Sequence, residues 1–527
     1  MIFATFILFT AFVAFYSWYR VRKDKFDTPE KYFLGGHSLT GIMIAGSMLM
    51  TNISTEHLIG MNGSSYRNGF AIMGWEVTSA LALIVGAVYF IPKYLKMGLT
   101  TIPEFLENRF DPMTRTLVAV LLVISFVVTL LPIVLYTGAI HLENIFEISK
   151  LLGVTRTQGL WITVIMIGVI GSAYAIFGGL KAVAVSDTIQ GYGLWIGGLL
   201  VPVIALFQIG HGNIIDGITK VYDAAPQKFN AIGGKDSILP FSALFTGLVI
   251  NQLYFWCMNQ SIIQRALGAK NLVEAQKGLL LTGALKIFMP VIIVLPGVIG
   301  FYYFGNSLYD KQDLVYPELI KHVLPLSLTG LFAAVVMGAV LSTFNGVLNS
   351  AATLFSVDVY KRHLKPEASD RSVVWVGRST STLVAVFAIL TAPLVAHAPQ
   401  GLYQLLQQLN GIFFIPIASI MLAGFFFKNI SAAGAKAALF LGMIFYILTT
   451  FILKVDIFFV HVWGIEFVLN MALMFGVSYF FPDQKKFELK TAEVIDMHHW
   501  KHTKLVSIIL VIITIGVYVM LSNIGVG

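Results

Sequence analysis

The chain has 527 residues, of which 57% are hydrophobic and only 12% charged, and its mean hydropathy is +0.81. That leaves too little polar surface to cover a water-soluble particle of this size, so most of the chain is solvated by a lipid bilayer. The net charge of +8 follows from loop asymmetry and is not a nucleic-acid signal, and the single cysteine, Cys257, excludes a disulfide framework within the chain.

Fourteen apolar stretches of roughly 18 to 30 residues are expected to cross the membrane as helices, making an all-α membrane protein. They start near Ile2, Gly41, Ile72, Thr116, Gly159, Gln190, Ser242, Leu279, Leu328, Ser372, Tyr403, Gly434, Phe458 and Lys504. The first, Ile2 to Tyr19, lacks a basic start and a small-residue cleavage site, and reads as a retained anchor. Lys and Arg are retained on the cytoplasmic side of a membrane. With Arg20, Arg22, Lys23, Lys25 and Lys31 inside, alternate loops hold 25 basic residues and the opposite set 9. Both termini are therefore expected on the outer face of a cell inner or plasma membrane. The longest connections, His211 to Phe241 and Pro482 to His502, are too short for a soluble domain.

A polar side chain at membrane depth costs a few kcal/mol unless it faces a cavity, a partner or an ion. In chain order, the second segment carries TNISTEHLIGMNGSSY (51 to 66), and the third has Glu76 with Thr78 and Ser79. The seventh reads INQLYFWCMNQ (250 to 260), with Asn251, Gln252, Asn259 and Gln260 around Tyr254, Phe255 and Trp256. The eighth holds Lys286, and the ninth holds Ser342, Thr343, Asn345, Asn349 and Ser350. Ser, Thr and Asn commonly bind membrane helices to each other, which would suffice for Ser342 and Thr343 taken alone. Glu56 beside a break would cap backbone amides, and the aromatics would pack. Glu76, His57 and Lys286 have no such structural reading.

The polar interruptions open two successive sets of five helices, 41–210 and 242–427, once the segment and loop 1–40 are set aside. An outer loop, 211–241, joins the sets, and peripheral helices, 428–527, follow. Halves of opposite orientation, each opening with a broken helix, are the pattern of secondary transporters with midplane sites. At Thr51 to Thr55 an unwound helix would offer carbonyl and hydroxyl ligands to a small hard cation, completed by Ser342 and Thr343. Glu56, His57 and Glu76 would hydrogen-bond a polyhydroxylated molecule.

At these residues the sequence resembles the solute:sodium symporter family, and within it the bacterial sodium/galactose symporter and the animal sodium/glucose cotransporters. The carrying motifs include YFLGGHSL (32 to 39), TNISTEHLIGMNGSSY, GWEVTSA (74 to 80), TIPEFLENRF (101 to 110), FGGLKAVAVSDTIQ (177 to 190) and LSTFNGVLNSAATLFSVDVY (341 to 360). The resemblance implies a LeuT-like inverted repeat of five plus five helices and a Na⁺ site at Met50, Ile53, Ala339, Ser342 and Thr343. It implies sugar contacts at His57, Glu76, Ser79, Leu130, Gln252, Phe255, Lys286 and Gln407. Met61, Trp75 and Tyr403 would close over the sugar and Phe255 would lie beneath it. Leu130, Phe255 and Gln252 replace an asparagine, a tyrosine and an asparagine of the galactose symporter, changes worth roughly 1 to 3 kcal/mol of discrimination each. Asp187 matches part of a second sodium position of some relatives, but Asn345 and Gly346 replace two of its serines, so one Na⁺ per solute is expected.

The functional expectation is Na⁺-coupled import of a galactose- or glucose-like hexose by alternating access, with a monomer sufficient. The alternative cargoes are myo-inositol, a sugar acid or another small organic solute. A sodium-gated sensor or channel is a further alternative, although the inner loops are too short for a signalling domain. An enzyme is not expected, since no oxyanion element or metal-ligand spacing accompanies His57, Glu76 and Ser79. Gly178 with Gly179, and Gly297 with Gly300, are expected to permit helix tilting.

Overall fold

Backbone in hydrocarbon must satisfy its own hydrogen bonds, and the chain does so with helices; the described residues contain no strand, only an isolated bridge between Leu39 and Ala269. The structure, a computed structural model, describes residues 2–24, 26–397, 402–483, 492 and 495–522. Lys25 of the basic run and part of the Pro482 to His502 connection lie outside the described residues.

The spans are α1 (Ile2–Val21), α2 (Gly41–Asn52, then Glu56–Met61 and Asn62–Asn68) and α3 (from Gly74–Val77 through Ile91–Met97). Then come α4 (Pro112–Phe146), α5 (Arg156–Ala173), α6 (Gly178–Ile209) and α7 (Gly247–Cys257 with Gln260–Leu267). They are followed by α8 (Leu272–Phe288 with Pro290–Phe304), α9 (Leu326–Leu364), α10 (Asp370–Val395) and α11 (Leu402–Phe426). The chain closes with α12 (Ala432–Ile452), α13 (Phe459–Phe480) and α14 (Thr503–Met520). Among the described residues eleven helices are long and apolar enough to cross a membrane, or twelve with the two halves of α8, bent by 43°, counted as one span. The remaining expected spans are α7, whose halves are each too short, and α2, which shares the run Glu56–Met97 with α3.

Glycines mark the corners. Gly69, at φ +70°, separates α2 from α3, and a Cβ there would fall 2.2 Å from Lys228 O. Gly179, at φ +55°, breaks the helical path at the start of α6, where a Cβ would meet Tyr32 O at 2.6 Å. The Gly178–Gly179 pair therefore turns the chain between spans instead of tilting a helix. At Gly297 the absent side chain lets α8 approach the end of α2, since a Cβ would come within 2.2 Å of Asn62 O.

Burial separates core from periphery: 94% of the apolar window of α9 is buried, against 11% for α1 and 22% for α14. α2, α6 and α9 pack together at the centre, with α8 against α2. An all-helical bundle with paired broken spans gives the LeuT-like architecture the sequence implied.

Candidate functional site

α2 winds regularly to Asn52, where Ile53 leaves the helical region (φ −90°, ψ 112°). Asn, Ser and Thr side chains compete with the backbone for its hydrogen bonds, and β-branched residues lose rotamer freedom in a helix. The chain resumes as a wide π-turn over Glu56–Met61. α9 crosses behind the break, where Thr343 Oγ1 donates to the carbonyls of Met50 (3.3 Å) and Thr51 (3.0 Å). Met50, Ile53 and Ala339 are fully buried. Ser342 Oγ has no hydrogen-bond partner among the described residues, although Asp187 lies beside it. Asp187 Oδ2 accepts from Ser47 Oγ (2.5 Å), which in turn accepts from Arg265 Nε (3.2 Å). These are hydroxyl, carbonyl and carboxylate oxygens without thiol or imidazole, the donor set that suits a hard monovalent cation.

α7 breaks differently. It stops at Cys257, Met258 leaves the helix (φ −131°, ψ −18°), and Asn259 Oδ1 caps the second half by accepting from Ser261 N (2.9 Å) and Ser261 Oγ (2.8 Å). One turn before the break, Gln252 Nε2 donates to Trp75 O (2.7 Å) and Thr78 Oγ1 (3.2 Å). Its Oε1 accepts from Ser79 Oγ (3.0 Å) and Trp256 Nε1 (3.1 Å). Both amide hydrogens and both carbonyl lone pairs are thus engaged by protein.

Between the breaks lies a hollow of about 50 Å³, room for a few water molecules. Its wall includes His57, Glu76, Ser79, Gln252, Lys286 and Gln407, together with Trp75, Tyr403, Phe255, Leu130 and Thr343. Lys286 Nζ donates to Glu76 Oε2 and to Asn52 Oδ1 (2.7 Å), and lies 5.4 Å from the Trp256 ring. The pair is almost wholly buried, with side-chain exposures of 0% and 2%. His57 stands between two carboxylates, 3.4 Å from Glu56 Oε1 and 3.9 Å from Glu76 Oε1, and its Nδ1 has no hydrogen bond among the described residues. Tyr403 packs edge-on to His57 at 5.1 Å and to Trp75 at 6.0 Å, and its hydroxyl accepts from Gln407 Nε2 (2.9 Å). Met61 does not line the hollow; it is buried in one apolar cluster with Trp75 and Tyr403. Trp75 and Tyr403 line the hollow, and Phe255, also in its wall, is only partly buried.

With the geometry in place, comparison with known proteins fixes the family: the model of the "Sodium:solute symporter family" matches residues 32–442. The chain is a member of that family. The symporter is 43% identical over 521 residues, 99% of its own length and 91% of the other's, to an Escherichia coli (strain K12) protein named "Uncharacterized symporter YidK". It is 34% identical to the sodium/glucose cotransporter of Vibrio parahaemolyticus, over 79% of this chain and 78% of that one. It is 29% identical to the bovine sodium/myo-inositol cotransporter, over 78% of this chain and 61% of that one. A Na⁺-coupled sialic acid symporter shares the fold, with a TM-score of 0.77 at 19% identity, covering 92% of this chain and 99% of that one. Mhp1, a nucleobase-cation-symport-1 family transporter, follows with a TM-score of 0.54 at 15% identity over 86% and 95%. The symporter is accordingly a multi-pass membrane transporter that uses sodium, in agreement with the sequence reading.

Asn52, Trp256, Ser261, Leu406, Asn410 and Phe414 also line the hollow and were not among the sequence-derived site residues. Asn52 and Trp256 stand in polar or aromatic clusters the sequence displayed, and only their facing partners Lys286 and Gln252 reveal what they do. Arg265 is fully buried beside Asp187. Glu466 of α13 escaped notice as an isolated acid in an apolar run, and it is fully buried without a hydrogen-bond partner among the described residues.

Proposed function

We propose that the symporter couples inward Na⁺ movement to uptake of a neutral polyhydroxylated solute, in first place a hexose such as galactose or glucose. The observation that carries the reading is the shared wall: the hydroxyl of Thr343 reaches the carbonyls of the α2 break, and the same residue borders the hollow that holds Glu76, Lys286, His57 and Gln407. An ion held by Met50, Ile53, Ala339, Ser342 and Thr343 would stabilise the break, and with it Asn52, which fixes Lys286. Each positive charge carried inward adds about 2.3 kcal/mol per 100 mV of membrane potential.

The roles divide by what each side chain has left to give. Glu76 and Gln407 present acceptors and donors to ring hydroxyls, and His57 contributes a ring nitrogen. Lys286 holds Glu76 in position through their direct contact. Gln252, saturated by protein groups, holds Ser79 and Trp256 in place. Met61, Trp75 and Tyr403 form the gate on the side of the 211–241 loop and Phe255 the floor. The buried cation is already matched by Glu76, so a sugar acid finds no free positive charge. Myo-inositol is the second reading, favoured by the mammalian relatives named as sodium/myo-inositol cotransporters. Both termini on the outer face and transport by a monomer complete the proposal.

Proteoliposomes carrying labelled galactose, glucose or myo-inositol test it. Uptake should require an inward Na⁺ gradient, fall with Ser342→Ala and be abolished by Glu76→Ala. Uptake unchanged when choline replaces sodium would overturn the coupling. Normal hexose and inositol transport by Glu76→Ala and Gln407→Ala would overturn the solute site.

A further inference from the structure

Three cavities lie one behind another on the side of the 211–241 loop, and the central hollow is the innermost. Trp75 and Tyr403 line both the hollow and a chamber of about 10 Å³, room for one water molecule, whose wall also includes Ser64 and Ile238. Phe459 and Gln404 line both that chamber and an open basin of about 600 Å³. The basin is polar: Lys235 and Asp236 reach it from the 211–241 loop, Lys454 and Asp456 from the α12–α13 connection, and Gln408 from α11. A side chain that borders two cavities stands between them. The way from basin to hollow therefore crosses two partitions, Phe459 with Gln404 and then Trp75 with Tyr403.

The inner partition belongs to the gate expected from the sequence, whereas Phe459 stands on α13, beyond the two sets of five helices. It is 4% exposed, and its ring stacks on Trp75 at 6.4 Å with the planes 13° apart. Trp463, one turn further along α13, packs edge-on against both, 5.1 Å from Phe459 and 6.1 Å from Trp75. Trp463 is itself wedged between two helices. A Cβ on Gly411 of α11 would fall 2.1 Å from its Nε1, and one on Gly247 of α7 would fall 2.4 Å from its Cβ. The Phe459–Trp463 pair is thus fixed by close packing, and Trp75 touches both this pair and, at 6.0 Å, Tyr403.

We propose that Phe459 is a second barrier on the solute path, carried by a peripheral helix, and that with Trp463 it forms the fixed abutment on which Trp75 closes. The proposal rests on the reading that places the 211–241 loop on the outer face and the solute in the central hollow. The chamber between the partitions holds water and no solute, so both layers must part for a solute to pass. Removing the bulk of Phe459 alone opens the chamber to the basin and leaves the hollow shut behind Trp75 and Tyr403.

The test uses the full chain with Cys257→Ala and one introduced cysteine at a time: Gln408→Cys in the basin, Ser64→Cys in the chamber or Gln407→Cys in the hollow. Right-side-out membrane vesicles in sodium-free buffer are treated with a charged, membrane-impermeant maleimide, and the rate of labelling is read. Gln408→Cys should react fastest. Phe459→Ala should raise the rate at Ser64→Cys about tenfold and leave the rates at Gln408→Cys and Gln407→Cys within about twofold. Phe459→Val, a smaller cut that keeps a branched apolar side chain, should raise the Ser64→Cys rate alone by about threefold, so the barrier stays testable if alanine loosens the fold. A Ser64→Cys rate unmoved by both variants would overturn the barrier. An equal rise at Gln407→Cys in both variants would overturn the two-layer arrangement. Labelling confined to inside-out vesicles would contradict the assigned outer face, and the Phe459 dependence measured there would still decide the barrier. The readout needs no labelled solute, so it is separate from failure of the proposed cargo.

Discussion

The two helix breaks present similar residues and opposite bookkeeping. At the α2 break Thr51 Oγ1, Ser54 Oγ and Glu56 Oε2, with Ser342 Oγ from α9, are buried without a hydrogen-bond partner among the described residues. At the α7 break the polar groups satisfy one another: Asn259 caps Ser261, Gln260 Oε1 accepts from Ile102 N at 2.8 Å, and Gln252 makes four bonds. An interruption in a membrane helix is thus not by itself a binding site. What binds is the polar capacity that neighbouring side chains leave unused: the α2 break leaves four oxygens beside it, whereas on α7 the unpartnered atoms, Asn251 Oδ1, Tyr254 Oη and Arg265 Nη2, stand away from the break itself.

The largest effect should come from the ion pair that joins the α2 break to the solute wall. Lys286→Met leaves the Glu76 carboxylate buried and unpaired, and should cost about 3–5 kcal/mol, seen as a lower unfolding midpoint in detergent. Lys286→Met combined with Glu76→Gln should recover much of that loss, because the charge is removed with its partner. A double variant as unstable as the single would show that Lys286 matters through packing. Ser342→Ala probes unused capacity directly. It should raise sodium half-saturation about tenfold and leave the midpoint in sodium-free buffer within error. Asn259→Ala at the other break should do the reverse, costing about 1 kcal/mol of stability with unchanged sodium half-saturation. If Asn259→Ala weakened sodium and Ser342→Ala only destabilised, the contrast between the breaks would be inverted.

The sequence displayed the α2 break because Asn52, Ser54, Thr55, Glu56 and His57 sit where hydrocarbon demands apolar side chains. It displayed Glu76 and Lys286 as charges without excuse, 210 residues apart, but only the fold brings them together. Saturation was invisible: Gln252 reads as a free amide, and its four partners come from α3 and from a residue one turn further along α7. The Ser47–Asp187–Arg265 chain was hidden for the same reason, since its members lie on three different spans. Gly179 looked like a flexible point because a glycine pair in an apolar run does not announce a positive φ. Positions of polar residues are legible in a membrane sequence; who spends their hydrogen bonds is a property of the packed bundle.

The far end of α2 shows a third way to satisfy a helix terminus. Lys228, from the 211–241 loop, donates from Nζ to the carbonyls of Tyr66 (2.7 Å) and Arg67 (3.0 Å), a cation at the negative end of the helix. Burial pulls its pKa down from 10.5 to about 8. Between about pH 8 and 10.5 the unfolded chain binds a proton the folded chain has released, so stability gains from this group as pH rises through that window. Lys228→Met removes the gain. The stability of the parent minus that of the variant should therefore grow between pH 7 and 9.5, by roughly 1–2 kcal/mol. A difference that shrinks instead would mean the ammonium, held by its two carbonyls, outweighs the burial penalty and that the loop clamps α2 through charge.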